Sequence, residues 1–257
     1  MNEKLSTEGR ARIDVLKAAF KAGPTGAHIA PSLSLIEISL AVLKIKNDYD
    51  SVILSKGHGA LGYYAAMHQL GIMTDVELST FEQDGGLFPG QPCRNDNTKI
   101  EYSGGSLGMG LSYGVGVAVA KKQTGRVFVI LGDGELNEGT NWEAAQLASK
   151  LNLSNLIAIV DNNGLQSDGA CHDITGIDYK KVWKAFGWDI IECDGHSVNQ
   201  LINAINTIKK TPTAIIANTI KGKGVSFMEQ NNEWHHHVLN EEQFNNAVKE
   251  VEKRYEE

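Results

Sequence analysis

Residues 129–138 read VILGDGELNE, a short apolar run that stops at an aspartate set between two glycines. Consecutive Val, Ile and Leu suit a strand covered on both faces, and Gly-Asp-Gly supplies the tight turn that ends it. A second run over 155–160 ends at Asn162-Asn163-Gly164, with a helical spacing over 138–150 between the two. A strand, a helix and a second strand in this order place both strand ends on one edge of a parallel sheet, where open α/β sheets bind ligands.

Outward from this unit the alternation continues. Helices are expected over 5–22, 34–46, after His58, and over 107–122, 179–186, 198–209 and 241–255, the last highly charged and on the surface. Strands are expected over 52–54, 127–131, 188–192 and 213–218. The pattern predicts an α/β chain with a doubly wound, mostly parallel sheet and helices on both faces. With no internal repeat or low-complexity linker, one domain is expected over 1–257. Residues 83–106 hold several glycines together with Pro89 and Pro92 and read as a long surface loop, a kind that is commonly functional.

Composition excludes several classes. The 257 residues are 42% apolar, enough to bury a core, and carry 31 acidic against 24 basic side chains for a formal charge of -7. That balance argues against nucleic-acid or anionic-membrane binding. Cys93, Cys171 and Cys193 show neither zinc spacing nor a disulfide framework. The charged N-terminus has no apolar segment of signal-peptide type, and no stretch is long and apolar enough to cross a bilayer. A cytoplasmic protein is expected.

Asp133 and Asn163 offer hard oxygen donors, suited to Mg²⁺ or Ca²⁺ rather than zinc. Mg²⁺ takes few protein ligands together with phosphate oxygens. Each turn alone is explained as well by chain reversal; the pair at this separation is more specific. The glycine-rich segment 103–110, SGGSLGMG, leads into a helix N-terminus, where bare backbone N–H groups favour a phosphate. Close helix packing explains it equally well. His28, His58, His235 and His236 lie in polar, glycine-containing surroundings and could polarise oxygens or move protons, although a lone histidine is more often a structural hydrogen-bonder. Neighbouring residues in extended chain point opposite ways, which argues against one ion bound by all of 235–237.

These residues match a family. GDG at 132–134 followed by NN at 162–163 resembles the thiamine diphosphate motif. GAHIAPSLS (26–34), LSKGHGAL (54–61), SGGSLGMGLS (103–112) and NTIKGKGVSFMEQNNEWH (218–235) resemble the N-terminal half of transketolases, in the same order over essentially the whole chain. The resemblance implies the thiamine diphosphate-binding fold and ketol transfer between a ketose and an aldose. It assigns Asp133, Asn163 and the carbonyl of Leu165 to Mg²⁺, with Ca²⁺ or Mn²⁺ able to substitute. Gly105, Ser106, Leu107 and Gly134 would approach the cofactor, and Lys221 and His235 its diphosphate. His28 and His58 would face substrate and the cofactor's reactive carbon, and Glu138 and Glu143 would join a proton network across a subunit interface.

The resemblance also implies a second chain. In transketolases the glutamate that activates the cofactor and the arginines that grip sugar phosphates belong to the next domain. The sequence resembles the N-terminal subunit of a split transketolase, expected in an α2β2 assembly with a C-terminal partner. Two positions depart from the family: Gln91 stands where Gly-His-Pro is usual, and Met109 where Gln is common. An amide can donate and accept hydrogen bonds but carries no charge, so a non-standard sugar is expected. The alternatives are a decarboxylating subunit acting on pyruvate or another 2-oxo acid, a non-catalytic cofactor-binding subunit, and a structural α/β domain.

Overall fold

The computed structural model describes residues 4–122, 124–207 and 210–257. The strands are β1 (Ser51–Leu54), β2 (Val127–Gly132), β3 (Leu156–Asn162), β4 (Leu165–Gln166), β5 (Gly169–Ala170), β6 (Asp189–Asp194) and β7 (Thr213–Asn218). Five form a parallel sheet in the order β1-β2-β3-β7-β6, while β4 and β5 make a small antiparallel hairpin. The helices are α1 (Thr7–Lys21), α2 (Ile29–Ser34), α3 (Ile36–Ile45), α4 (Ala60–Gln69), α5 (Asp75–Leu78), α6 (Met109–Lys121), α7 (Gly139–Lys150), α8 (Cys171–Ile174), α9 (Tyr179–Ala185), α10 (Val198–Ile205) and α11 (Glu241–Arg254).

Side-chain alternation along the strands builds two apolar layers. Phe128, Ile130, Ile159 and Ile215 face one layer with α1 to α4, α10 and α11. Val127, Val129, Leu131 and Ala158 face the other with α6, α7 and α9. Both faces of each central strand are therefore dry, which explains the unbroken apolar runs. The chain moves β2 to β3 through α7 on one face and returns β6 to β7 through α10 on the other, as crossovers of a single hand require.

Some boundaries differ from the sequence reading. The helix expected over 34–46 is two helices, α2 and α3, and α2 begins five residues earlier, at Ile29. Pro31 lies in the first turn of α2, where a missing N–H removes no helical bond. β3 runs on through Asp161 and Asn162, which pair in register with Ala217 and Asn218. The helix expected over 198–209 ends at Ile205; residues 208 and 209 lie outside the described residues, as do residues 1–3 of the charged N-terminus. Residues 83–106 contain no helix or strand beyond one isolated bridge between Asn95 and Ile100. α11 is charged outward yet buries Ala247 and Val251, and its Phe244 stacks on Phe20 of α1 at 4.6 Å. Among the described residues, no helix is long and apolar enough to cross a membrane.

Candidate cofactor site

Register decides the site. Gly132 of β2 lies opposite Asp161 of β3, so Asp133 emerges beside the Asn162-Asn163 tip. Asp133 is not displayed to solvent, as a turn residue would be, but is 2% exposed. One carboxylate oxygen accepts from the backbone N–H of Gly134 at 2.8 Å, and the other from that of Gly164 at 2.5 Å. Gly164, at φ +79°, turns the chain between Asn163 and Leu165, and the Asn163 side-chain oxygen accepts from Leu165 N–H at 3.1 Å. Gly134 packs so closely under the β4–β5 hairpin that an added Cβ would lie 2.7 Å from that of Gln166. Burial, followed by repulsion from Asp161, pushes the Asp133 carboxyl up to about 6. A buried carboxylate with too little positive charge around it suits a divalent cation.

A cavity of about 370 Å³, within the range of small-ligand sites, opens on this tip. Asp133, Gly134, Asn163 and Leu165 line it. His28, His58, His235 and Gln91 line it as well, with Gly105, Leu107, Glu138 and Lys221 also on the wall. The ring centroids of His28 and His58 lie 5.9 Å apart, and His235 is 5.3 Å from each. Burial is the main cause holding His28 down to about 4 and His235 to about 3, with His236 next for the first and Lys221 next for the second. Burial and then Lys56 hold His58 well below the ordinary imidazole value. All three are neutral imidazoles at pH 7, each with one ring nitrogen that donates and one that accepts a hydrogen bond without bringing charge into the resting cavity. His236 also approaches His28, at 4.7 Å, whereas His237 packs on Trp234 at 4.3 Å.

The remaining candidate residues are placed less centrally. At the N-terminus of α6 two backbone amides are already taken by protein, Gly108 N–H by Glu135 at 2.8 Å and Gly110 N–H by Ser55 at 3.2 Å. The helix dipole is already met by an internal carboxylate. Ser106 is exposed and does not line the cavity, unlike its neighbours Gly105 and Leu107. Glu138 reaches the cavity from an exposed position, while Glu143 lies exposed on α7 outside it. The sequence reading misses Lys56 and Glu135, both cavity-lining and nearly fully buried. Each stands directly beside a motif, but a buried charge announces itself only through a partner distant in sequence.

The chain is similar to solved structures of transketolases. The chain matches transketolase from Campylobacter jejuni with a TM-score of 0.85 and 26% identity, covering 98% of this chain and 43% of that one. Transketolase from Leishmania mexicana gives 0.84 and 27%, covering 96% and 41%. The family model for the transketolase thiamine diphosphate-binding domain matches residues 44–255, and the chain belongs to that family. Human transketolase is 36% identical over 95% of this chain but only 41% of its own length, so the chain spans about two fifths of such full-length relatives. Two shorter relatives are matched nearly end to end. An apulose-4-phosphate transketolase subunit from Actinobacillus succinogenes is 38% identical over 97% of this chain and 95% of its own length. The 6-deoxy-6-sulfo-D-fructose transketolase subunit SqwG of a Clostridium species is 36% identical over 88% of each.

Proposed function

We propose that the chain is a single thiamine diphosphate-binding domain over 1–257, acting as the N-terminal subunit of a two-chain transketolase that moves a two-carbon ketol unit between a ketose and an aldose. One observation carries this reading: the Asp133–Asn163 tip and the His28–His58–His235 cluster share a single cavity. When bound, thiamine diphosphate supplies the electron sink for breaking and remaking a carbon–carbon bond. Asp133, Asn163 and the Leu165 carbonyl would hold Mg²⁺ against its diphosphate. The three neutral histidines would polarise substrate oxygens and move protons between them, a role that favours ketol transfer over decarboxylation of a 2-oxo acid. The relatives named as subunits support a separate partner chain; the proposed partner is the C-terminal half, in an α2β2 assembly.

Lys221 is 1% exposed and donates to the Gln166 carbonyl at 3.1 Å and Asn232 at 3.2 Å, leaving a third donor unengaged among the described residues. Burial, then Lys56, lowers it to about 8. Only its protonated form attracts a diphosphate, so cofactor affinity is expected to fall as pH rises above about 8. Lys221→Met should weaken binding about 10–100-fold at pH 7, the scale of a charge-assisted hydrogen bond, and should flatten that dependence. Calorimetric titration from about pH 6.5 to about pH 9.5, spanning the ordinary and lowered lysine ranges, checks both.

Gln91 is the proposed donor-selecting residue. Its side-chain oxygen is buried without a partner among the described residues and lies 2.2 Å from where a Cβ on Gly57 would stand. Gln91→His is expected to change donor preference, read as a ratio of kcat/KM values, while cofactor affinity stays within about twofold. Loss of cofactor binding would mean that the loop lies elsewhere. The activity itself is tested by product analysis of the reconstituted pair with xylulose 5-phosphate as donor and ribose 5-phosphate as acceptor, beside the sugars named for the relatives, apulose 4-phosphate and 6-deoxy-6-sulfo-D-fructose. Turnover of a non-standard sugar well above the standard pair is expected; efficient use of the standard pair removes the specialisation, and carbon dioxide release from pyruvate would favour a decarboxylating subunit.

A further inference from the structure

Lys56 is 1% exposed and Asp161 fully buried, and the two form an ion pair that spans alternate strands of the sheet. The lysine stem starts just beyond β1 and crosses over Gly132 of β2, where an added Cβ would lie 3.5 Å from Cγ and Cδ. Its ammonium then reaches Asp161 on β3. It also donates to the Pro31 carbonyl at 3.0 Å and to Ser34 Oγ at 3.2 Å, both on α2. An ammonium has three N–H donors, and all three are taken by protein. Lys56 borders the cavity yet has no donor left for a ligand.

Both oxygens of Asp161 are likewise engaged by protein. One oxygen accepts from Lys56 and from Ser34 Oγ at 2.6 Å, and the other from Thr219 Oγ1 just beyond β7. Burial alone would raise this carboxyl, but the Lys56 ammonium and these hydrogen bonds keep it below the ordinary carboxylate range. The four contributing segments are those that carry the site. Lys56 lies two residues before His58, Asp161 two before Asn163, and Thr219 two before Lys221. α2 follows His28 directly, and Ser32 Oγ donates to the His28 carbonyl at 2.7 Å.

We propose that the Lys56–Asp161 pair, with Ser34 and Thr219, is a positioning hub that fixes the β1, β3 and β7 tips and α2 as one unit, so that His58, Asn163, Lys221 and His28 hold their separations before any cofactor arrives. The hub deepens the proposed cofactor site and rests on that reading only for its consequence. Removing one charge would strand the other in a dry interior, so the test removes both. In Lys56→Met/Asp161→Asn the asparagine still accepts from Thr219 and donates toward Ser34, but the link to Pro31 and β1 is gone.

The measurement is amide hydrogen exchange in the cofactor-free chain, with calorimetric affinity for thiamine diphosphate in excess Mg²⁺ beside it. Exchange is expected to rise about tenfold or more together at 28–34, 57–58, 162–164 and 219–221, while the centres of β2, β3 and β7 keep their protection. Cofactor affinity should fall about 10–100-fold, as when partners that orient a metal ligand are lost. A rise confined to residues beside the two substitutions, or one spread evenly over the sheet, overturns the hub. Coupled exchange in a chain whose unsubstituted form binds no cofactor upholds the hub and overturns the functional reading instead. Should the double variant fail to fold, Thr219→Val removes one arm and spares the ion pair; coupled exchange at 162–164 and 219–221 supports the hub, and exchange at 219–221 alone overturns it.

Discussion

Asp133→Ala is expected to abolish Mg²⁺-dependent binding of thiamine diphosphate, with affinity falling about 1,000-fold or more. Groups that merely orient a metal ligand are worth about 10–100-fold, and Asp133 is the one charged side chain among the proposed ligands. The remaining donors, Asn163 and the Leu165 carbonyl, are neutral oxygens, too weak to dehydrate Mg²⁺ unaided. The loss should not come from unfolding. Burial and Asp161 oppose the Asp133 carboxylate, whereas both its oxygens accept backbone N–H groups; Asp133→Asn relieves the first and turns an NH₂ against one of those donors, so its melting temperature in metal-free buffer should stay close to that of the unsubstituted chain. Calorimetry in excess Mg²⁺ gives the affinity, and a melt with and without metal separates binding from folding. If the alanine chain binds the cofactor normally, the metal is held elsewhere and the strand-tip assignment is wrong.

How much of the molecule is legible in its sequence follows from how local each signal is. β2 and its end are legible because an apolar run meeting Gly-Asp-Gly states both the strand and its stop within a few residues. β3 reads short because Asp161 and Asn162 look like turn residues. They belong to the strand because Lys56 and Asn218, far away in sequence, satisfy them. α2 escapes a sequence reading because Pro31 normally argues against a helix, and only its place in the first turn makes it harmless. The glycine loop before α6 reads as a phosphate cradle because nothing local reveals that Glu135 takes the Gly108 N–H. In each case the error lies in a long-range polar contact or a position within a helix, which periodicity cannot encode. The apolar framework is legible for the opposite reason, since solvent exclusion acts on every strand residue independently.

The purified chain by itself is expected to show ketol transfer at least about 10³-fold slower than in complex with its partner, a loss on the scale of missing acid–base assistance. The surface of the chain supports such an assembly. α6 turns Met109, Tyr113 and Val119 outward, and the neighbouring α7 turns out Leu147, followed by Leu151 at its end. Singly exposed apolar residues need no explanation, but five on two packed helices offer apolar area for a partner to cover. Glu138 lies between this face and the cavity: it is exposed at the start of α7 and also lines the cavity wall, so a chain docking on these helices would bury it beside the cofactor. Val119→Glu combined with Leu147→Glu would put two charges into that contact and should split the assembly without lowering the melting temperature of the isolated chain, since both side chains are about half exposed. Sedimentation of the mixed chains reads the assembly, and product formation on adding the partner reads the function. Full activity from the chain alone would refute the two-chain enzyme, whereas normal assembly and activity in the doubly charged variant would move the interface to another face.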